Sequence, residues 1–223
     1  MASWMVHLRI ADKLLERIPE LAETEFIVGN IAPDSGVPNE DWSAFSPPTT
    51  ISHFKSESRD ANPDSFASKY WTAEKQQQYS HKEYSFFLGY LTHLLTDVRW
   101  VRDIYAPSKI KFADLYTTDK RKFVHKVKED WYDLDFKYLR DHPDFRAFHL
   151  YLNAHGFVND FMDEFSPDAF ENRRQYITGW YLEGKDNLDR EYPYLTEDEM
   201  AAFVDSVSGE IFDILHTKYA VNL

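Results

Sequence analysis

The stretch Phe86-Phe-Leu-Gly-Tyr-Leu-Thr-His-Leu-Leu-Thr-Asp-Val-Arg-Trp100 decides the fold. No run in the chain alternates cleanly with period 2, and this stretch predicts a long helix. Ser80 with Glu83 reads as a capping box, so the helix opens there and runs to about Asp103. Within it, His93 and Asp97 are four residues apart, which sets them on one face with about 5–6 Å between their Cβ atoms. That spacing suits two ligands to one cation. The same face holds Phe86, Gly89, Tyr90 and Trp100. An acid and an imidazole among aromatics need a partner, because burying an unpaired charge is costly. Gly89 costs the helix about 1 kcal/mol against Ala, and lets another backbone or a metal approach closely.

Helical signals extend outward from this segment. Trp4, Leu8, Ala11, Leu15 and Ile18 form an apolar stripe over residues 2–17, which Pro19 helps to end, and His7 borders that stripe. Residues 29–62 break every period, with Gly29, Pro33, Gly36, Pro38, Pro47 and Pro48, and so long an irregular segment is often functional. Asn62-Pro63 reads as an N-cap with Pro in the first turn. Thr118-Asp119 opens a helix to about Arg140, and a further helix is expected over 144–163. Ser166-Pro167 opens one to about Glu183, and Thr196 with Glu199 opens the last, to about Tyr219. Nothing marks a boundary, so the expectation is one all-α domain spanning residues 1–223.

Composition narrows the function. The 223 residues include no Cys, which excludes disulfides, thiol nucleophiles and Cys-type zinc sites. Any metal site must use His and carboxylates. The net charge of −13 repels phosphate backbones and anionic head groups, so neither nucleic acid nor a stable membrane association is expected. No basic n-region precedes an apolar h-region and no run of 18 apolar residues occurs, which makes the cytoplasm the expected location.

A second pair repeats the first spacing. His125 and Glu129 lie in Lys122-Phe-Val-His-Lys-Val-Lys-Glu-Asp-Trp131, and His53 lies in the irregular segment. Each pair alone could be a helix-stabilising ion pair; two pairs and a loop His point to metal. His-Glu-x-x-His, Glu-x-x-His, His-Asp, Gly-x-Ser-x-Gly and the P-loop pattern are all absent. Asp34 sits in Gly29-Asn-Ile-Ala-Pro-Asp-Ser-Gly36, where it reads either as a turn residue or as a carboxylate held over a cleft. His155 with Asp160 and Asp163 is a weaker cation candidate, and Trp42, Tyr90, Trp131, Tyr132, Trp180 and Tyr181 are as suited to a core as to a pocket.

Taken together, His7, Pro33-Asp34, His53-Phe54, Phe87-Leu-Gly-Tyr-Leu-Thr-His93-x-x-x-Asp97 and His125-x-x-x-Glu129 resemble the zinc-dependent phospholipase C family over roughly residues 1–135. The resemblance, distantly shared with nucleases of the S1/P1 type, implies an all-α fold with a cleft for two or three zinc ions and hydrolysis of phosphoesters. It implies that His53, His93 and Asp97 bind one metal, His125 and Glu129 a second, and that His7 contributes to a third. Asp34 would be the catalytic group near the attacking water, as a base or an orienting residue. Two departures stand out. The family's secreted members use a processed N-terminal Trp whose amino group is a ligand, whereas Trp4 here is internal. The family also places a His six residues after the Asp of the first pair, where this chain has Asp103. An oxygen ligand there would harden the site and admit manganese, iron or magnesium. The expected substrate is a small soluble phosphoester. The rival readings are a non-catalytic metal-binding or sensor protein, which would lack an open coordination position, and a helical domain whose pairs are ion pairs only.

Overall fold

A computed structural model describes residues 1–41, 43–55 and 60–221. Its elements are α1 (Trp4–Arg17), α2 (Glu23–Ile31) with a 3₁₀ turn at Ala32–Asp34, β1 (Val37–Pro38), β2 (Phe45–Ser46), α3 (Thr49–Ser52), α4 (Pro63–Tyr70), α5 (Ala73–Gln78) and α6 (His81–Trp100). A π-helical turn at Val101–Tyr105 follows, then α7 (Ala106–Lys111), α8 (Ala113–Thr118), α9 (Lys120–Asp141), α10 (Arg146–Asn153), α11 (Ala169–Leu182) and α12 (Glu197–Thr217). The fold is all-α. The two strands form a short antiparallel ribbon, pairing Val37 with Ser46 and Pro38 with Phe45.

Helix α6 is the axis of the molecule. The expected capping box is present, with Ser80 and Glu83 exchanging side-chain and backbone bonds. Every residue from Ser85 to Asp97 is buried, so no side of the helix faces water over that stretch. A helix apolar all round must be covered all round, and α1, α2, α4 and α12 cover it. Burying Leu88, Leu91 and Leu94 contributes about 1.5–3 kcal/mol each relative to exposure.

Helix α2 was not visible in the sequence, where residues from Gly29 onward read as irregular. It packs against α6 through two glycines. A Cβ on Gly89 would overlap the Phe26 carbonyl oxygen and lie 2.8 Å from the Asn30 nitrogen, and a Cβ on Gly29 would overlap the Phe86 carbonyl. The close approach that Gly89 permits is therefore that of another backbone.

Three further expectations are corrected. The helix foreseen over 144–163 stops at Asn153, because Ala154 to Asp168 turn through a loop held by the Asn159 side chain, which bonds Met162 and Phe165 carbonyls at 2.7 and 2.9 Å. The segment 29–62 is less irregular than its composition, since it holds the end of α2, the 3₁₀ turn, the ribbon and α3. The helix from Ser80 changes to π-helical hydrogen bonding after Trp100. Trp42 lies outside the described residues.

Candidate functional site

Five titratable side chains converge where α1, α2, α3 and α6 meet. His7 comes from α1, Asp34 from the turn after α2, His53 from the end of α3, and His93 with Asp97 from α6. The three imidazoles are fully buried, Asp97 is 2% exposed, and the Asp34 side chain is 10% exposed. His53 Nε2 lies 3.3 Å from Asp34 Oδ1, 3.3 Å from His93 Nε2 and 3.5 Å from Asp97 Oδ2. His93 Nε2 is 3.7 Å from Asp97 Oδ2, and His7 Nε2 is 3.5 Å from Asp97 Oδ1.

Surrounding groups aim these atoms. The Asn30 carbonyl at the end of α2 accepts from His93 Nδ1 at 2.7 Å. A carbonyl can only accept, so the proton of neutral His93 sits on Nδ1 and Nε2 offers its lone pair to the cluster. The Gly29–Gly89 approach brings that carbonyl within reach. Ser52 Oγ is 2.9 Å from His53 Nδ1, and Tyr90 OH in turn bonds the Ser52 carbonyl, tying the α3 loop to α6. Trp4 Nε1 donates to Asp34 Oδ2 at 2.9 Å, and the Ala2 amide donates to Asp97 Oδ1 at 2.8 Å.

Electrostatics keep the His93 imidazole neutral and both acids charged. Burial and the neighbouring His7 lower the His93 pKa to about 3. Burial alone would raise Asp97, but the N-terminal amino group and the His7 and His93 rings outweigh it and hold Asp97 well below the usual carboxylate range. Asp34 is likewise pushed up by burial and held down more strongly by its hydrogen-bonding contact with His53 and the nearby His93 ring.

The donor set fits a divalent metal. Asp34 Oδ1, His53 Nε2, His93 Nε2 and Asp97 Oδ2 are separated by 3.3–3.7 Å in the pairs given above. Ligands on bonds of ~2.0–2.2 Å at tetrahedral angles stand about 3.3–3.6 Å apart. Asp97 Oδ2 and both His7 ring nitrogens are buried without a hydrogen-bond partner in the structure, which is costly unless a cation satisfies them. Two overlapping groups can hold an ion, His7–His93–Asp97 and Asp34–His53–His93.

Three expected ligands stand elsewhere. His125 is exposed, and Glu129 accepts from Lys126 Nζ at 2.7 Å. The buried stripe Phe123–Val127–Trp131–Leu134 fixes the rotation of α9. Each residue turns a helix by about 100°, and the pair facing the centre is Lys128 and Tyr132 instead. Asp103 sits in the π-helical turn and pairs with Arg102 at 2.7 Å, beside Glu210. The expected second ligand pair and the hardened site are thus not formed by these residues. His155, Asp160 and Asp163 form no metal-sized cluster among the described residues.

Other functional positions escaped the sequence reading. Asn30 carried no signal, because its contribution is a main-chain oxygen. A cavity of about 140 Å³ opens onto Asp34, lined by Trp4, Phe45, Lys128, Tyr132 and Arg173 among others. Of the six aromatics weighed for a pocket, Tyr132 lines this one, while Tyr90 and Trp131 belong to the core. Arg173 lies far along the sequence from every motif, and only the fold carries it here.

Residues 6–100 match the family model described as zinc dependent phospholipase C. No curated protein and no solved structure matches the chain. The matched segment includes His7, Asp34, His53, His93 and Asp97, and ends before Asp103, His125 and Glu129. No helix among the described residues is long and apolar enough to cross a membrane.

Proposed function

With residues 6–100 falling within the zinc-dependent phospholipase C family, we propose that this chain is a metal-dependent hydrolase of phosphoester bonds. The observation that carries the reading is the cluster of four buried groups, His7, His53, His93 and Asp97, with the partly exposed Asp34, whose nitrogen and oxygen atoms form two overlapping ion-sized groups. Asp34, His53 and His93 would hold one divalent ion, with zinc the family's metal. His7 and Asp97 would contribute to the same ion or, with His93, to an adjacent one. Bound there, the metal supplies Lewis acidity, lowering the pKa of water towards about 7 and offsetting negative charge on a phosphoryl oxygen.

The chain's own residues do the rest. Asp34 is the one carboxylate of the cluster that also lines the cavity. Its lowered pKa keeps it ionised, so the oxygen facing the cluster can accept a hydrogen bond from the attacking water. Asp34 would act on that water as a base or as the group that orients it. The Trp4 indole fixes one oxygen of Asp34 and leaves the other towards the cluster. In hydrolysis the water oxygen bonds to phosphorus, the bond from phosphorus to the leaving oxygen breaks, and one water proton ends on that oxygen.

The open cavity beside Asp34 favours catalysis over a closed, non-catalytic metal site, since a catalytic centre keeps a position for water or substrate. The expected substrate is a small phosphoester rather than a bilayer lipid or a nucleic acid, given the net charge of −13. The test is elemental analysis of untagged protein together with turnover of bis(p-nitrophenyl) phosphate. About one or more zinc per chain and metal-dependent turnover support the reading. Bound metal without turnover makes the protein a metal-binding module, and no metal uptake at all removes both.

A further inference from the structure

The cavity beside Asp34 is walled by cations that have no anion. Arg173 on α11 is 5% exposed and donates from Nη2 to the Gly36 carbonyl at 2.6 Å. It forms no ion pair among the described residues. Its neighbour Arg174 is equally buried at 5% but is held by both carboxylate oxygens of Glu171, at 2.6 and 2.9 Å. Burying a guanidinium without a counter-charge is strongly unfavourable, so the contrast between adjacent arginines singles out Arg173. Lys128 on α9 also lines the cavity, exposed and without an ion pair among the described residues.

The Trp4 ring in the lining is already met by a protein cation rather than left free for a quaternary ammonium. Aromatic cages for such a ligand offer free ring faces to the cation. Here the Arg173 guanidinium itself lies 5.9 Å from the Trp4 ring centroid and 5.5 Å from that of Tyr176. A second cation would meet Arg173 and Lys128 at short range. Among the described residues Asp34 is the only carboxylate lining the cavity, and its oxygens are engaged by Trp4 and His53.

We propose that Arg173 and Lys128 form an anion subsite beside the histidine–aspartate cluster, which selects dianionic phosphoesters over zwitterionic choline phosphoesters. The subsite rests on the hydrolase reading for its role in turnover. Arg173 matches a phosphoryl group in geometry, because its planar fork presents paired donors to two oxygens. Lys128 adds a point charge on a flexible stem to the same lining. A cavity of about 140 Å³ is close to one that accommodates a benzene-sized molecule, so the group taken up is small.

The experiment compares p-nitrophenyl phosphate with p-nitrophenyl phosphorylcholine on metal-loaded protein, in wild type, Arg173→Gln, Arg173→Lys and Lys128→Gln. In parallel, calorimetry measures inorganic phosphate binding to the protein as purified. Wild type is expected to favour the dianion by at least tenfold in kcat/KM. Arg173→Gln should reduce that ratio and the phosphate affinity by about tenfold or more, with partial recovery in Arg173→Lys. Lys128→Gln, on an exposed side chain that leaves the fold intact, should reduce both by about threefold. A wild type that prefers phosphorylcholine, or ratios and phosphate affinities equal in all four proteins, overturns the subsite. Turnover without dependence on either cation removes the subsite and keeps the hydrolase. Phosphate binding that depends on Arg173, with no turnover of any ester, removes the hydrolase and keeps the subsite. Neither turnover nor phosphate binding removes both.

Discussion

His53 Nε2 and His93 Nε2 face each other at 3.3 Å. The His93 proton is committed to the Asn30 carbonyl through Nδ1, so at least one lone pair points into this contact. A cation can use both lone pairs once Ser52 accepts the His53 Nδ1 proton. In the proposed metal site the polar neighbours of the two rings would prepare them as a ligand pair.

Replacing His93 by Ala should remove metal and activity together, because it deletes the atom shared by both candidate ion groups. His125→Ala and Glu129→Gln should leave metal content unchanged, since both lie outside the cluster. Elemental analysis of the three variants checks this. Full metal content in His93→Ala would make the cluster a structural ion-pair network.

Gly89→Ala should destabilise the protein by about 1–3 kcal/mol, the usual cost of overpacking, and should weaken metal binding as well. The added methyl drives α2 away from α6 and takes the Asn30 carbonyl with it. Gly179→Ala is the contrast, because a Cβ there meets nothing within 4 Å in a helical stretch. It should be neutral or stabilising by about 0.4–1 kcal/mol. Thermal melts with and without zinc report both terms.

Asp34→Asn keeps an oxygen for the Trp4 indole but removes the charge. At saturating metal, kcat on a chromogenic phosphodiester should fall by about 10²–10⁴-fold. Metal affinity should also weaken, because Asp34 Oδ1 belongs to one ion-holding group. An unchanged kcat would return Asp34 to the role of a turn residue.

Asp135 supplies a pH signature away from the cluster. Burial raises its pKa to about 7, against opposing hydrogen bonds from Tyr181 and Ser3 at 2.8 Å each. Its folded pKa exceeds the unfolded value, so the native state binds more protons between about pH 4 and 7, and stability falls as pH rises through that window. Asp135→Asn should therefore lose less stability than wild type between pH 5 and pH 8. Denaturant titrations at the two pH values check the difference, and equal losses would show that Asp135 is ionised throughout.

The sequence by itself determined the helical class, most of the long helices and their caps, and five of the residues that meet in the cluster. Those signals are local. A capping box spans four residues, and the His93–Asp97 spacing needs only helical periodicity to share a face. Even Gly89 announced a close approach within α6. What approached it was decided by the tertiary structure, in which the backbone of α2 reaches α6 and Asn30 bonds His93. Tertiary packing also overruled His125 and Glu129. Their spacing is as good as that of His93 and Asp97, but the apolar stripe of α9 turns Lys128 and Tyr132 towards the centre instead. Spacing states which residues share a face, whereas only the packing of that helix against its neighbours states where the face points. Arg173, more than 70 residues beyond the family segment, reaches the cavity for the same reason.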